Sequence, residues 1–398
     1  SALISLSNLT DERMRMAKSG DWWVDNQQRA LSNNSVCYTE RPDMGIFMKE
    51  WLSLYESKSG ERGIFNRASA QVKAASNGRR DGDIEFGTNP CCEIILRPYQ
   101  FCNLSEVICR VDDTMDTLKN KIKLATILGT FQSTLTDFGY IRKRWKNTTE
   151  EERLLGVSLT GIMDCPAVYD ASPEALQQLR DVAIKTNKKL AEKLGINQST
   201  AVTCVKPSGT VSQLVDAASG IHARHNPYYI RTVRGDNKDP LTMFLQDKGV
   251  PSEPDFTAPD NVTVFSFPMK SPDSAICRYD MGALAQLELW LKIADNYCEH
   301  KPSVTISVQE HEWLEVGAWC WEHFDSLSGI SFLPFSDHSY KQAPYQDIDK
   351  EEFKDLTKKM PPAIDWYELS NYEKGDTTTG SQELACAGGV CEIVDIGA

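Results

Sequence analysis

Three stretches of the chain carry apolar residues at the three- and four-residue spacing that places them on one face of a helix. The second of these stretches begins at Ser172 and Pro173, residues typical of a helix start, and ends at Gly195, a residue typical of a helix end. The third runs from about Gly282 to Tyr297. The first spans residues 116–139, and its stripe consists of Leu118, Ile122, Ala125, Leu128, Phe131, Leu135 and Phe138. We expect all three stripes to face the core.

Short β-branched runs lie between the helical stretches and are typical of strands. They are Ala201–Val205, Val262–Phe267 and Ser303–Val308. Strands that alternate with helices predict a largely parallel α/β sheet or barrel. The first residues, 1–20, have the pattern of a strand entering a helix, so the chain opens as if in the middle of a domain.

The C-terminal region differs in composition from the rest of the chain. After about Asp347 the sequence becomes polar and charged, and it ends in glycine, alanine and cysteine. This composition favours a flexible tail. We therefore predict a main domain over residues 1–346 and a C-terminal region over residues 347–398.

Composition narrows the class of protein. The 398 residues are 41% hydrophobic, enough for one large or two medium domains. No apolar run is long enough to span a bilayer and no signal-peptide pattern opens the chain, which predicts a cytoplasmic protein without a membrane partner. A net charge of −13 makes direct nucleic-acid binding a poor expectation. Twelve cysteines in such a chain indicate buried thiols with a few redox or metal groups.

The densest chemistry lies in the stretch NPCCEIILRPYQFC, which ends at Cys102. Asn89, Cys91 and Glu93 have i, i+2, i+4 spacing, and Pro90 disfavours a helix, so an extended segment would present all three on one side. The carboxamide suits a hydroxyl, the carboxylate suits its proton, and the thiol suits nucleophilic or radical work. Cys102 would supply a reducing equivalent. A cysteine-rich loop with a capping asparagine fits the spacing equally well.

A second candidate follows the strand Ala201–Val205. The segment KPSGTVS offers hydroxyls and a glycine that permits close backbone approach, which suits a phosphate. Its spacing is not that of a Walker loop, and an ordinary turn rich in serine explains it equally well. The residues at issue are Ser208, Gly209, Thr210, Val211 and Ser212.

The tail carries a third candidate, Cys386 and Cys391, with four residues between them. A dithiol on a flexible tail can exchange disulfides at several sites. A zinc site would need four ligands, and no second cysteine or histidine pair lies nearby in the sequence, so we predict no metal site. Two tail cysteines without a role are the remaining alternative.

Five motifs in one order resemble a known family. They are GIFNRASA, N-P-C-x-E with a cysteine eleven residues after the first, LLGVSLTGIMD, VKPSGTVSQLVDAASGIH and the terminal C-x4-C. Together they resemble class II, adenosylcobalamin-dependent ribonucleotide reductase, most closely the catalytic subunit of the monomeric ribonucleoside-triphosphate reductase type. The resemblance covers essentially the whole chain and concerns the C-terminal part of that subunit.

This resemblance implies a fold and a set of roles. The fold would be a ten-stranded α/β barrel of two five-strand halves, with Cys91 at the tip of an inner finger loop. Cys91 would be the thiyl radical that takes the 3′ hydrogen of a ribonucleotide, Glu93 the base at the 3′-OH, and Asn89 the residue that holds the substrate hydroxyls. Adenosylcobalamin would be the cofactor.

The resemblance also implies how the reducing electrons arrive. Cys102 would be one member of the cysteine pair oxidised in each turnover, and the loop 208–212 would hold the substrate phosphates. Cys386 and Cys391 would re-reduce that pair and would be recharged by a thioredoxin-like reductant.

One departure from the family pattern predicts a second polypeptide. The family's partner of Cys102 lies on the first barrel strand, which would precede Ser1. We therefore expect the chain to be the second half-barrel of a split enzyme whose N-terminal half is a separate chain. Cys92 has no role in this scheme.

Two other classes remain as alternatives. A class I-type subunit needs a tyrosine relay near the C-terminus, and the Tyr228–Tyr229 pair lies far from the tail. A non-catalytic redox or metal-binding module would use the same cysteines, although a Cys–Cys pair followed by a long gap is poor ligand spacing.

Overall fold

The computed structural model describes residues 3–335 and 341–373, which form two compact units. The first unit comprises residues 3–223, 274–276 and 280–335. The second comprises residues 224–273, 277–279 and 341–373. These units follow contacts within the chain, whereas the division predicted at residue 346 follows the change in composition and stays a prediction.

Strands and helices alternate through most of the described residues. In chain order the strands are β1 (Leu3–Ser7), β2 (Ser32–Tyr38), β3 (Gly63–Asn66), β4 (Gly87–Thr88), β5 (Ile95–Leu96), β6 (Asn103–Ile108), β7 (Leu155–Thr160), β8 (Thr203–Cys204), β9 (Tyr228–Asp236), β10 (Ser252–Pro254), β11 (Val262–Lys270), β12 (Val304–Val308), β13 (Ile330–Pro334) and β14 (Tyr345–Asp347). The helices are α1 (Glu12–Arg15), α2 (Trp22–Asp25), α3 (Met44–Ser57), α4 (Arg67–Ala75), α5 (Met115–Gln132), α6 (Lys143–Glu152), α7 (Pro166–Tyr169), α8 (Pro173–Leu194), α9 (Thr210–Leu214), α10 (Pro240–Asp247), α11 (Ala283–Asn296), α12 (Trp313–Glu322) and α13 (Lys350–Lys359). The mixed α/β class that the sequence predicted is confirmed.

The main sheets of the first unit contain two groups of parallel strands. Strands β6, β7 and β8 pair in parallel, and an isolated parallel bridge between Val205 and Pro302 links β8 to the segment that enters β12. Strands β12 and β13 continue in the same direction. Strands β1, β2 and β3 are parallel to one another and meet β13 in antiparallel orientation. The chain thus holds three strands beyond the five of the predicted half-barrel, with β1 and β6 as the outer strands of these two groups.

The helix boundaries that rest on local caps are confirmed. Helix α8 begins after Ser172, whose hydroxyl accepts the N–H of Ala175 at 3.2 Å, and it ends at Gly195 with φ of 67°. Helix α11 occupies the third predicted stretch. Both helices bury an apolar face.

The stripe predicted over residues 116–139 is wrong in its second half. Helix α5 ends at Gln132, and Leu128 and Leu135 are 64% and 73% exposed. Its buried positions there are Thr126, Gly129 and Thr130 instead. Gly129 lets the helix approach Leu155 on β7 and Ser105 on β6 closely, and Asn187 of α8 donates to the Thr130 hydroxyl at 3.1 Å. The two threonine hydroxyls are satisfied by carbonyls one turn earlier in their own helix.

The second unit is built on an antiparallel sheet with the order β10-β11-β9-β14. The predicted strand Val262–Phe267 lies here as part of β11, antiparallel to β9. A small core of Phe244, Leu245, Val250 and Phe265 packs against this sheet. Among the helices of residues 3–335 and 341–373, none is both long and apolar enough to cross a membrane.

Candidate active site

The candidate site centres on a tight turn between β4 and β5. The N–H of Cys92 donates to the carbonyl of Asn89 at 2.9 Å, so residues 89–92 form a β-turn with Pro90 at its second position. The backbone of Cys92 has φ of 65°. The extended segment assumed from the sequence is therefore wrong, and a turn brings the side chains together. Asn33 on β2 holds the turn by donating to the carbonyl of Pro90 at 2.7 Å.

Glu93 is the buried carboxylate of the site, with 0% of its surface exposed. Its Oε1 accepts hydrogen bonds from Asn89 Nδ2 at 2.7 Å and from Lys206 Nζ at 3.1 Å. Its Oε2 is buried and has no hydrogen-bond partner among the described residues. The side-chain oxygen of Asn89, Oδ1, accepts the N–H of Ile94 at 3.0 Å. Hydrogen bonds at both Nδ2 and Oδ1 therefore fix the orientation of the carboxamide. One carboxylate oxygen is thus held and the other remains able to accept a proton.

The Cys91 thiol lies beside this carboxylate and is half-buried. Lys206 Nζ lies 3.7 Å from its Sγ. Burial raises the pKa of the Cys91 thiol, the charge of Glu93 raises it further, and the charge of Lys206 opposes both. The thiol is therefore neutral near pH 7 and carries a hydrogen atom to donate.

Cys92, to which the sequence assigned no role, is a packing residue of the turn. It is buried, and burial raises the pKa of its thiol. Gly329, with φ of 75°, lies directly against it, and a Cβ on Gly329 would fall 2.6 Å from the Cβ of Cys92. The positive φ of Cys92 and the absence of a side chain at position 329 together allow this close approach.

Cys102 lies just before β6, in an electrostatic environment that it shares with Cys91. Burial raises the pKa of its thiol, and the charge of Glu93 adds to that effect while those of Arg80 and Lys206 oppose it. The loop before it is anchored by Gln100, which donates to the buried carboxylate of Glu152. The charges of Glu93 and Lys206 therefore influence the pKa of both thiols.

The segment after β8, where the sequence predicted a phosphate loop, forms a turn that leads into α9. Ser208 N–H donates to the Ser219 hydroxyl at 2.9 Å, and Ser212 N–H donates to the Ser208 hydroxyl at 2.9 Å. Gly209, Thr210 and Val211 are exposed at the start of α9. N–H groups in the first turn of a helix have no acceptor within that helix. The loop thus exposes N–H groups at residues 209–211, while hydrogen bonds of Ser208 and Ser212 fix its backbone.

Sequence reasoning missed Lys206 and the residue that fixes its backbone. Lys206 directly follows a strand and precedes a proline, a position with no distinctive pattern. Gly220, with φ of 56°, lies against it, and a Cβ there would fall 2.6 Å from the Lys206 carbonyl oxygen. Both residues lie within the motif VKPSGTVSQLVDAASGIH, so that motif was the signal in the sequence that pointed to this region.

The remaining sequence predictions concern residues beyond this cluster. Cys386 and Cys391 lie outside the described residues. Within residues 3–335 and 341–373, no group of three or more histidine, cysteine, aspartate or glutamate side chains is arranged to hold a metal ion.

His300 fixes the strand that follows the turn. It is fully buried, its Nδ1 accepts the N–H of Ile95 at 3.3 Å, and its Nε2 lies 3.0 Å from the Leu155 carbonyl. Nδ1 therefore has no proton, and Nε2–H is the donor. Burial lowers the pKa of His300 to about 3, and the charge of Arg80 adds to this effect.

A neutral buried histidine predicts a loss of stability in acid. The unfolded chain binds a proton at His300 below pH about 6.5, whereas the folded chain resists it, so stability is full above that pH. It should fall by on the order of 2 kcal/mol by pH 5 and continue to fall towards the folded pKa. Urea unfolding at pH 7 and pH 5 measures this difference. His300→Asn should reduce the pH dependence, whereas the exposed His311→Asn should leave it unchanged; equal pH dependence in all three proteins would contradict the assignment.

The architecture agrees with one class of solved structure. The described fold is that of class II ribonucleotide reductase: a crystal structure of a B-12 dependent (class II) ribonucleotide reductase matches 94% of this chain and 56% of its own, with a TM-score of 0.74 and 23% identity. The Actinobacillus ureae class Id ribonucleotide reductase alpha subunit matches 84% of this chain and 70% of its own, with a TM-score of 0.56 and 14% identity.

Curated relatives make the resemblance more specific. The chain is similar to the adenosylcobalamin-dependent ribonucleoside-triphosphate reductase of Lacticaseibacillus paracasei, at 26% identity over 432 residues, covering 99% of this chain and 56% of that protein. The reductases of that name from Lactobacillus leichmannii and Euglena gracilis are 26% and 28% identical, covering 92% and 76% of this chain and 53% and 42% of theirs. The chain spans about half the length of the curated relatives it matches. No protein-family model matches it. The resemblance indicated by the sequence motifs is confirmed.

Proposed function

We propose that the chain is part of a ribonucleotide reductase that forms 2′-deoxyribonucleotides by a cysteine radical mechanism. The observation that carries this proposal is the buried carboxylate of Glu93: Oε1 is held by two donors, Oε2 has no partner among the described residues, and Lys206 contacts both this carboxylate and the Cys91 thiol. Abstraction of a carbon-bound hydrogen next to a hydroxyl needs a hydrogen-atom acceptor and a base together, and Cys91 and Glu93 provide them.

The reaction divides among the site residues as follows. The Cys91 thiyl radical takes the 3′ hydrogen of the ribose while Glu93 Oε2 accepts the proton of the 3′-OH and Asn89 orients the hydroxyls. The 2′-OH then leaves as water. Cys102 and a second thiol supply two electrons and two protons and become a disulfide, and Cys91 returns its hydrogen to C3′. The balance is one ribonucleotide and two thiols converted to one deoxyribonucleotide, one disulfide and one water.

Adenosylcobalamin is the proposed cofactor. When bound, it supplies the radical that converts the Cys91 thiol to a thiyl. Such a step requires a thiol that is accessible and protonated. Cys91 meets both conditions, because it is only half-buried and its raised pKa keeps the hydrogen on sulfur. The chain's own contribution is to hold that S–H beside the base and to keep Cys92 away from it.

Substrate binding and re-reduction use the other predicted residues. The segment Ser208, Gly209, Thr210, Val211 and Ser212 is proposed to bind the substrate phosphates through its exposed middle, Gly209 to Val211, which the buried Ser208 and Ser212 flank. Cys386 and Cys391 are proposed to reduce the disulfide of Cys102 by thiol–disulfide exchange, with a thioredoxin-like protein as the final reductant. We place this chemistry in the cytoplasm, where thiols are kept reduced.

The sheet supports a partner that completes the barrel. Strands β6, β7, β8, β12 and β13 run one way and β1 to β3 the other, and the outer strands β1 and β6 have no second neighbour among the described residues. Five strands in each direction would make the ten-stranded barrel. Two more strands between β1 and β6 would close it, and a strand beside β6 would bring the second thiol to Cys102. We propose that a separate N-terminal chain supplies them.

Co-expression tests this proposal. The chain alone is expected to expose the edges of β1 and β6 and to associate with itself. With an N-terminal reductase chain it should form a one-to-one complex that makes deoxyribonucleotide when given adenosylcobalamin, ribonucleotide and a dithiol. Size-exclusion chromatography and product analysis measure both. A monodisperse single chain with full activity would contradict the split enzyme while leaving the chemistry intact.

Glu93→Gln is expected to lower turnover of the assembled enzyme by about 10²- to 10⁴-fold, the usual contribution of a general base. The amide keeps a hydrogen-bond acceptor for Asn89 but cannot accept the 3′-OH proton. The rate of deoxyribonucleotide formation measures the effect. Glu192→Gln, an exposed change on α8, is the control, and near-normal turnover in Glu93→Gln would contradict the role of Glu93.

A further inference from the structure

Lys206 connects the thiol and the carboxylate of the site. Its Nζ lies 3.1 Å from Glu93 Oε1 and 3.7 Å from Cys91 Sγ. We propose that Lys206 is a positioning residue that keeps Glu93 ionised and aligned with the Cys91 thiol. The proposal rests on the proposed function for its catalytic meaning, but its physical content concerns three side chains of this chain alone.

The charge of Glu93 requires a compensating group. Its side chain has 0% exposure, and a buried carboxylate without a cation takes up a proton instead of remaining charged. Among the described residues, Lys206 is the one cationic side chain that forms an ion pair with it. Asn89 donates to the same oxygen but brings no charge. Orientation therefore comes from Asn89 and Lys206 together, and ionisation depends on Lys206.

Lys206 is itself built to remain charged and in place. Its side chain is 34% exposed, so its ammonium keeps partial contact with solvent while Glu93 has none. Burial alone would lower the pKa of Lys206, but the charge of Glu93 and its hydrogen bond with Lys206 outweigh burial and the pKa is raised. Its N–H donates to the Ser158 hydroxyl at 2.8 Å, and its carbonyl packs against Gly220, so the backbone cannot move away from the site without breaking both contacts.

A lysine at this position also suits a different role. Lys206 opens the segment KPSGTVS, and an ammonium beside exposed N–H groups would attract a substrate phosphate. That role would appear only with substrate present and would leave Glu93 unaffected in the free protein. The positioning role changes the protonation of Glu93 whether or not substrate is bound.

Infrared spectroscopy of the full chain separates these roles without turnover. In Lys206→Met at pH 7, the difference spectrum against wild type is expected to gain the carbonyl stretch of one protonated carboxylic acid per chain. Lys206→Arg should show no such band because it keeps the charge, and Lys206→Met combined with Glu93→Gln should lose the band because the carboxyl is gone. Lys123→Met, an exposed change on α5, is the control. No band in Lys206→Met would overturn the proposal.

Stability provides a second measurement should Lys206→Met fold poorly. Removing the cation alone obliges the buried Glu93 carboxylate to take up a proton, which costs free energy at pH 7, whereas the double variant has no carboxylate to protonate. The urea midpoint of the double variant should therefore lie above that of Lys206→Met. A double variant less stable than the single one would also overturn the proposal.

The assembled enzyme extends the test to catalysis. Lys206→Met should lower kcat by about tenfold or more, with the acid limb of its pH–rate profile moved to higher pH, and Lys206→Arg should restore both. A rise in KM with kcat and the pH profile unchanged would instead identify a phosphate-binding lysine and overturn the positioning role. If the wild-type complex makes no deoxyribonucleotide, the proposed function fails, and the infrared result still decides the role of Lys206.

Discussion

Replacing Cys91 with serine is expected to abolish deoxyribonucleotide formation by the assembled enzyme. A hydroxyl has nearly the same size and can still accept from Lys206, so the turn and the ion pair should survive. Its O–H bond is far harder to break by hydrogen abstraction than S–H, so the radical step is lost. Product analysis with adenosylcobalamin, ribonucleotide and a dithiol should show no product above background.

The neighbouring thiol is the matched control for this prediction. Cys92 lies one residue away in the same turn but packs against Gly329. Cys92→Ala keeps that packing without adding atoms and should retain activity within a few-fold. Activity that persists in Cys91→Ser and disappears in Cys92→Ala would exchange their roles and refute the assignment of the radical to Cys91.

A distinct pattern is expected for the thiol that supplies electrons. Cys102→Ser leaves Cys91, Glu93 and Lys206 unchanged, so the first hydrogen abstraction remains possible. Steady turnover should nevertheless fall to background because the disulfide cannot form. Loss of tritium from a 3′-labelled substrate separates the two variants: it should continue in Cys102→Ser and stop in Cys91→Ser.

The sequence predicted the features that depend on neighbours along the chain. Helix α8 begins at Ser172 and ends at Gly195 because caps act over three or four residues. The association of Asn89 with Glu93 was expected, but from an extended segment. At the end of the turn Cys92 takes a positive φ, and Gly329, from a distant part of the chain, packs directly against it. A local pattern contains no sign of that partner.

Features that depend on distant contacts could not be predicted in the same way. Lys206 reaches Glu93 across 113 positions of the sequence. The second half of the buried face of α5 was misassigned because Gly129 packs against Leu155 and Ser105 of the sheet and Thr130 contacts α8, whereas Leu128 remains exposed. The three strands β1 to β3 carry too few alternating positions to indicate a sheet that reverses direction at β13.

The largest expected effect on stability concerns a buried ion pair beneath Cys102. Arg80 donates to both carboxylate oxygens of Glu152, at 3.0 and 2.9 Å, and the two side chains are 1% and 5% exposed. Arg80 also donates to the carbonyl of Ile95 at 2.9 Å and to the side chain of Gln100 at 3.2 Å. One guanidinium thus ties β5, the loop before Cys102 and the end of α6.

Arg80→Met should destabilise the protein by about 3–5 kcal/mol because it removes the cation that holds both oxygens of the buried Glu152 carboxylate and leaves only Arg97, 3.9 Å away. Urea unfolding followed by tryptophan fluorescence measures the loss. Lys146→Met is the matched control: Lys146 pairs with Glu150 on the same helix, the two side chains are 45% and 35% exposed, and its loss should cost about 0–1 kcal/mol. The same loss in both variants would mean that burial of the pair has no energetic consequence.

The double variant Arg80→Met with Glu152→Met distinguishes the pair itself from the packing around it. Replacing a buried ion pair by apolar side chains is often neutral, so most of the stability should return. The tether to Gln100 would not return, because Glu152 no longer accepts from it. The Cys102 thiol should therefore react faster with an alkylating reagent in the double variant than in wild type, even at equal stability. Restored stability with unchanged Cys102 reactivity would show that the pair holds the fold without positioning the redox thiol.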